Sequence, residues 1–175
     1  MKFDFIEITD TSELDVYINE ILSLQEACNV SLPEESWYIP SDKEEFYDYI
    51  ERENGIIILA LCGDRIAGVI SSGKDDNHYE QAKAGGAKLP SKSSLYISLV
   101  CVNQQFRGNG LQYQLMMRTI EIAKRKRYKC CWCRVHPDNI YSVRNIEKAG
   151  MAHTSDYTTD VGWPRKIYTR RLSWL

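Results

Sequence analysis

The stretch LYISLVCV at Leu95–Val102, followed by NQQFRGNGLQ at Asn103–Gln112, decides the fold class of this chain. The first eight residues form a nearly continuous apolar run, as expected of a central strand covered on both faces. Gly108 and Gly110 then punctuate a short turn. Beyond it runs a long helix with one apolar line at Leu111, Leu115 and Ile122 and a second at Met116, Ile120 and Ala123. Arg118, Glu121, Lys124 and Arg125 take its outer side. Proteins build anion sites from this arrangement: a helix N-terminus leaves N–H groups unpaired, and glycines let an anion approach them. Arg107 adds a charge-assisted donor. A dinucleotide turn would need GxGxxG, and a P-loop would need GKS or GKT; both are missing. Spacing alone leaves two readings, a site for a pyrophosphate-bearing ligand and a tight structural turn.

Outward from this point, the pattern predicts strands at 3–8, 55–61, 66 onward, 130–135, 151–157 and 166–172. It predicts helices at 14–27, 43–53 and 139–149. Gly68 inside its strand predicts a bulge or a close backbone approach. Segment 28–43 carries Trp37 and Tyr38 and reads as a loop whose aromatic residues either close over a ligand or tether the loop. Segment 73–94 is polar, with one helical turn at Tyr79–Ala84, and reads as a surface insertion or a substrate-facing loop. The order β-α-α-β-β-β-α-β-α-β-β gives an α/β (α+β) fold with a mixed, mostly antiparallel sheet covered by helices.

The chain has 175 residues, which suits a single domain over 1–175. With 22 basic and 24 acidic residues the formal charge is −2, which excludes a generically basic nucleic-acid binder. No apolar run of membrane-spanning length exists, and MKFDFIEITD has no apolar core of signal-peptide kind, so the expected compartment is the cytoplasm. Six cysteines, Cys28, Cys62, Cys101, Cys130, Cys131 and Cys133, are expected as free thiols. CysCysTrpCys at 130–133 is not a zinc pattern and the three histidines are scattered, so no metal site is expected.

Two stretches resemble the GNAT superfamily of acyl-CoA-dependent N-acetyltransferases. Its acyl-CoA motif, Gln/Arg-x-x-Gly-x-Gly/Ala, is matched by Arg107-Gly108-Asn109-Gly110-Leu111-Gln112, with Gln112 departing at the last position. Val135-His136-Pro137-Asp138-Asn139, Ser142 and Glu147-Lys148-Ala149-Gly150-Met151 are similar to the family's second strand–helix–strand segment. The resemblance implies acetyl-CoA as co-substrate and direct transfer of an acetyl group to a primary amine of a small molecule or protein. The balanced charge and the lack of a membrane-spanning run lead to the expectation of no nucleic-acid or membrane partner, and a homodimer stays open. Backbone groups of Val100 and Val102 would bind the pantetheine arm. The N–H groups of Arg107, Gly108, Asn109, Gly110, Leu111 and Gln112 would hold the diphosphate. Asn139 and Ser142 would touch the pantetheine or the acyl end.

The family's frequent acid, a tyrosine seven positions after the Asn, is Ile146 here. LYISLVCV also lacks the usual central carboxylate. Tyr96, Ser98 and His136 are therefore the catalytic candidates, in a scheme where proton transfer is diffuse. The departures at Gln112 and Ile146 keep a second reading open, a catalytically reduced acyl-CoA-binding regulatory module.

Overall fold

A computed structural model describes residues 1–51 and 55–173. The elements are β1 (Asp4–Ile8), α1 (Thr11–Val30), α2 (Lys43–Glu51), β2 (Ile56–Cys62), β3 (Arg65–Gly73), α3 (Asp76–Ala84), β4 (Leu95–Val102), α4 (Leu111–Arg125), β5 (Cys130–Val135), α5 (Ile140–Lys148), β6 (Ala152–Thr158) and β7 (Pro164–Arg171). Short 3-10 turns stand at Glu35–Trp37 and Gln104–Phe106. The seven strands form one sheet in the order β1-β2-β3-β4-β5-β7-β6. Every pairing is antiparallel except β4 with β5.

This agrees with the mixed, mostly antiparallel sheet expected from the sequence. The 73–94 segment differs from expectation, because it holds a full helix, α3, rather than one turn. Asp75 caps it, accepting the His78 N–H at 2.9 Å. The helix buries only Ala82, so it shows little apolar periodicity. The end of the helix predicted over 43–53 lies outside the described residues.

Helix α1 starts where the sequence supplies a cap. Asp10 accepts the Glu13 N–H at 2.9 Å, and Glu13 reaches back to the Thr9 N–H at 2.7 Å. The helices cover both faces of the sheet. On one, α4 and α5 pack Leu115, Ile120, Ala123 and Ile146 against Ile56, Ile58, Ile97 and Cys131. On the other, α1 and α2 pack Leu14, Ile18, Ile21 and Phe46 against Ile57, Leu59, Val69 and Leu99. Beside them, Ala82 of α3 covers Tyr96, Trp132 and Ile167. Gly68 is the close approach foreseen: a Cβ there would stand 3.0 Å from the Cys101 carbonyl oxygen and 3.2 Å from the Leu115 side chain. The bulge lies beside it, because Ala60 pairs with Gly68 and Leu61 with Ile66.

Two irregularities in β4 shape the centre of the molecule. Ser71 pairs with Leu99 and Ser72 with Ile97, so Ser98 is an extra residue, a β-bulge. The bulge inverts the facing of the strand. Leu95 and Ile97 belong to the α4 side, whereas Leu99 and Cys101 belong to the α1 side. Strand β4 also pairs with β5 only at Leu95–Cys131 and Tyr96–Trp132, while its pairing with β3 continues to Val102. Past Tyr96 the two strands part, leaving one edge of β4 unladdered in the middle of the sheet.

Candidate active site

The turn after β4 has the features of an anion cradle. Gly108 and Gly110 adopt φ of +82° and +69°, conformations that side-chain-bearing residues rarely take. A Cβ at either would meet nothing within 4 Å, so the space before the turn is open. Gly110 is the N-cap of α4 and offers no capping side chain, and the first turn of α4 holds no acidic residue. The Gln114 N–H bonds back to Gly110 O at 3.0 Å, leaving the N–H groups of Leu111, Gln112 and Tyr113 without helical acceptors. Asn109 spends its side-chain amide on Phe106 O at 3.0 Å, which stiffens the turn. Arg107 donates to Ser31 Oγ at 3.0 Å, tying the turn to the end of α1.

Gln112, the departure in the motif, turns its side chain toward α5. Its Nε2 donates to Ser142 Oγ at 3.0 Å, and its Oε1 accepts from Asn145 Nδ2 at 3.2 Å. Asn139 caps α5 by accepting the Ser142 N–H at 3.2 Å. Thus α4 and α5 are stapled together on the side where β4 and β5 part. Val100 and Val102 lie half-buried on the splayed portion of β4.

A second cavity opens on the opposite face of β4. This cleft is lined by Trp37, Tyr38, Ser41, Glu45, His78, Tyr96, Ser98, Arg134 and Arg165, among others. Glu45 comes from the first turn of α2. Its Oε1 accepts hydrogen bonds from Ser98 Oγ at 2.7 Å, Tyr49 Oη at 2.8 Å and Ser41 Oγ at 3.0 Å. Tyr49 Oη also lies 2.9 Å from Asp75 Oδ2, which in turn is 2.7 Å from His78 Nδ1. A chain Glu45–Tyr49–Asp75–His78 results. Burial would raise the Asp75 carboxyl, but the His78 ring outweighs it and holds that carboxyl at about 2. Burial pushes the Tyr49 and Tyr96 hydroxyls far above the phenol range, so both stay protonated. Tyr49 fits because Gly73 lacks a side chain: a Cβ there would come within 2.2 Å of its ring.

Glu45, Asp75 and His78 are also the one group of metal-ligating side chains among the described residues whose donor atoms lie within 4.8 Å of one another. Tyr49, bonded to both carboxylates, and the Asp75–His78 contact account for that closeness.

Of the three catalytic candidates from the sequence, Tyr96 and Ser98 line the cleft. His136 stands one layer behind, stacked on Trp37 at 5.8 Å between centroids. It is 4% exposed, and its Nδ1 accepts the Asp138 N–H at 3.2 Å. Burial and then the charge of Arg165 lower its proton affinity. Ile146 is buried among core side chains and Tyr141 is exposed.

The sequence reading missed Glu45, Tyr49, Asp75 and His78 as a group, and Arg134 and Arg165 as cleft residues. Arg134 did carry a signal, as a lone charge inside the apolar strand CCWCRV.

An open, mostly antiparallel sheet whose centre splays beside a glycine-bearing helix N-terminus defines the acyl-CoA N-acyltransferase class. The Acetyltransferase (GNAT) family model matches residues 18–151, and the chain belongs to that family. It is an acetyl-CoA-dependent N-acetyltransferase. No curated protein sequence matches it. Among solved structures, it resembles an N-acetyltransferase from Staphylococcus aureus Mu50 with 19% identity and a TM-score of 0.71, over 97% of this chain and 99% of that one. A Salmonella typhimurium protein described as an acetyltransferase, solved with acetyl-CoA, aligns at 13% identity and TM-score 0.71, over 99% and 95% of the two chains. The ribosomal-protein-S18-alanine N-acetyltransferase of Escherichia coli aligns at 13% identity and TM-score 0.68, over 99% and 96%. No helix among the described residues is long and apolar enough to cross a membrane.

The residues present fit acetyl-CoA. The open space before Gly108 and Gly110 and the unpaired N–H groups of α4 suit a diphosphate. The unladdered edge of β4 suits an extended amide-bearing arm.

Proposed function

We propose that the chain, read as one domain over 1–175 and cytoplasmic, acetylates the amine of an acceptor held in the cleft beside β4, with Glu45 receiving the proton. Bound acetyl-CoA supplies an acetyl thioester. The N–H groups of Arg107, Gly108, Asn109, Gly110, Leu111 and Gln112 hold the diphosphate. Val100 and Val102 offer backbone groups to the pantetheine arm, and Asn139 and Ser142 flank its inner end.

The observation that carries this reading is the Ser98–Glu45 hydrogen bond. The strand lacks a carboxylate of its own, but Ser98, the bulge residue, faces α2, which brings one to it. An amine must shed a proton as its lone pair forms the C–N bond, and its N–H acidity then rises enough for a carboxylate to accept; the C–S bond breaks and CoA leaves as a thiolate that takes a proton from water. All three hydroxyls on Glu45 bond to Oε1; among the described residues none donates to Oε2. Oε2 is the atom that faces the acceptor in this scheme. Tyr49 and Asp75 keep the carboxylate oriented and offer a proton path toward His78. Holding the amine beside the thioester is itself worth several kcal/mol.

The experiment is turnover of acetyl-CoA against a panel of amines, followed by release of the free thiol. Tyr96→Phe, Ser98→Ala and His136→Ala are each expected to lower turnover by less than about 100-fold, since none is the proton acceptor. Binding of acetyl-CoA without turnover on any amine would favour the regulatory-module reading.

A further inference from the structure

The cleft has two chemically opposite ends. Glu45, with Ser41, Ser98 and Tyr49, forms one. Arg134 and Arg165 form the other, with Tyr96 between them: its ring lies 5.3 Å from that of His78 and 6.0 Å from the Arg134 guanidinium carbon.

The basic end is poorly compensated. Arg165 is 3% exposed, and its Nη1 donates to the Pro164 carbonyl at 2.8 Å. Its Nη2 is buried with no hydrogen-bond partner. Arg134 gives Nη1 to the Tyr157 hydroxyl at 3.0 Å. Among the described residues no carboxylate forms an ion pair with either guanidinium. Burial and the neighbouring charge of Arg134 both lower the proton affinity of Arg165, as expected of two cations facing one space. Trp37 lines the same cleft, and its Nε1 is buried and also lacks a partner. Unpaired buried charge is costly, and three N–H-bearing groups around one cavity, two of them with a buried and unpartnered donor atom, mark a place where an anion is missing.

We propose that the acceptor is a small ampholyte of amino-acid type, its carboxylate held by Arg165, Arg134 and Trp37 while its amine meets Glu45. The inference rests on the proposed acetyl transfer at this cleft. A guanidinium fork matches a carboxylate in geometry as well as charge. The net charge of −2 leans the other way, toward a cationic acceptor, but the local charges of the cleft decide what enters it.

The test uses the twenty common amino acids beside their carboxamides and decarboxylated amines. Binding is read as thermal stabilisation of the protein–CoA complex, and transfer as thiol release. At least one amino acid is expected to stabilise the complex and to be acetylated on the order of 10–100-fold faster, in kcat/KM, than its carboxamide. R165Q, and separately R134Q in case the first fails to fold, should shrink that preference chiefly through KM. Stabilisation by an amino acid without acetylation would uphold the anion site and contradict the proposed transfer. Carboxamides or decarboxylated amines that match the acids, or no stabilisation by any amino acid, would overturn the inference. Peptides acetylated in preference to free amino acids would overturn it too.

Discussion

Ser98 Oγ donates to Glu45 Oε1 at 2.7 Å, joining the bulge of the central strand to the first turn of a helix 53 residues earlier. The bond links the sheet to the acceptor cleft. Without the bulge, Ser98 would keep the regular alternation of β4, and Leu99 and Cys101 would face α4 instead of α1.

The diphosphate turn yields a direct prediction. Gly110 sits at φ +69° in open space, so a side chain there is strained but not crowded. Gly110→Asn and Gly110→Asp impose similar strain and differ in charge. Calorimetry with acetyl-CoA should show Gly110→Asp weaker than Gly110→Asn by on the order of 10-fold or more, with both folded by circular dichroism. Equal affinities would remove the diphosphate from this turn.

Much of this frame was legible in the sequence. The apolar run of β4 is long because helices cover both of its faces, and the double apolar line of α4 matches its buried residues Leu111, Leu115, Met116, Ile120, Ile122 and Ala123. The cleft was less legible. A one-residue bulge at Ser98 leaves no mark in composition. Glu45 and Asp75 read as surface acids of polar segments, and only the tertiary fold brings them within reach of one tyrosine hydroxyl. Arg165 lies between the two predicted strands 151–157 and 166–172, where nothing in the sequence marked it as buried.

Acid should weaken the fold through Asp75. Its carboxyl titrates at about 2 in the folded protein against an ordinary 3.8, so the folded state favours the charged form. That stability is fully present above about pH 4 and is lost as pH falls toward 2, to a total of about 2 kcal/mol. Asp75→Asn should be less stable at neutral pH and flatter across this window in denaturant titrations. A parallel pH dependence in the variant and the parent would contradict the assignment.

The cysteines are free, as expected. Among them Cys28 stands out: the hydrogen bond from Cys101 lowers its thiol to about 7 against the opposing effect of burial, with help from the Arg107 charge. Burial raises Cys130, Cys131 and Cys133, Cys131 to about 12. Iodoacetamide at pH 7.5 should label Cys28 ahead of these three, with a rate that titrates near pH 7. Arg107→Ala should move that titration upward. Labelling of Cys131 or Cys133 before Cys28 in the folded protein would refute this ordering.

The central claim is that a carboxylate borrowed from α2 takes the proton of the acceptor amine. Glu45→Gln keeps the shape of the side chain and can still accept from Ser98 and Tyr49, but it cannot take a proton. The decisive measurement is turnover of Glu45→Gln at saturating acetyl-CoA and acceptor, with acetyl-CoA affinity checked by calorimetry. The account predicts a fall of about 10²–10⁴-fold in kcat with that affinity unchanged. Turnover within roughly threefold of the parent protein would contradict it.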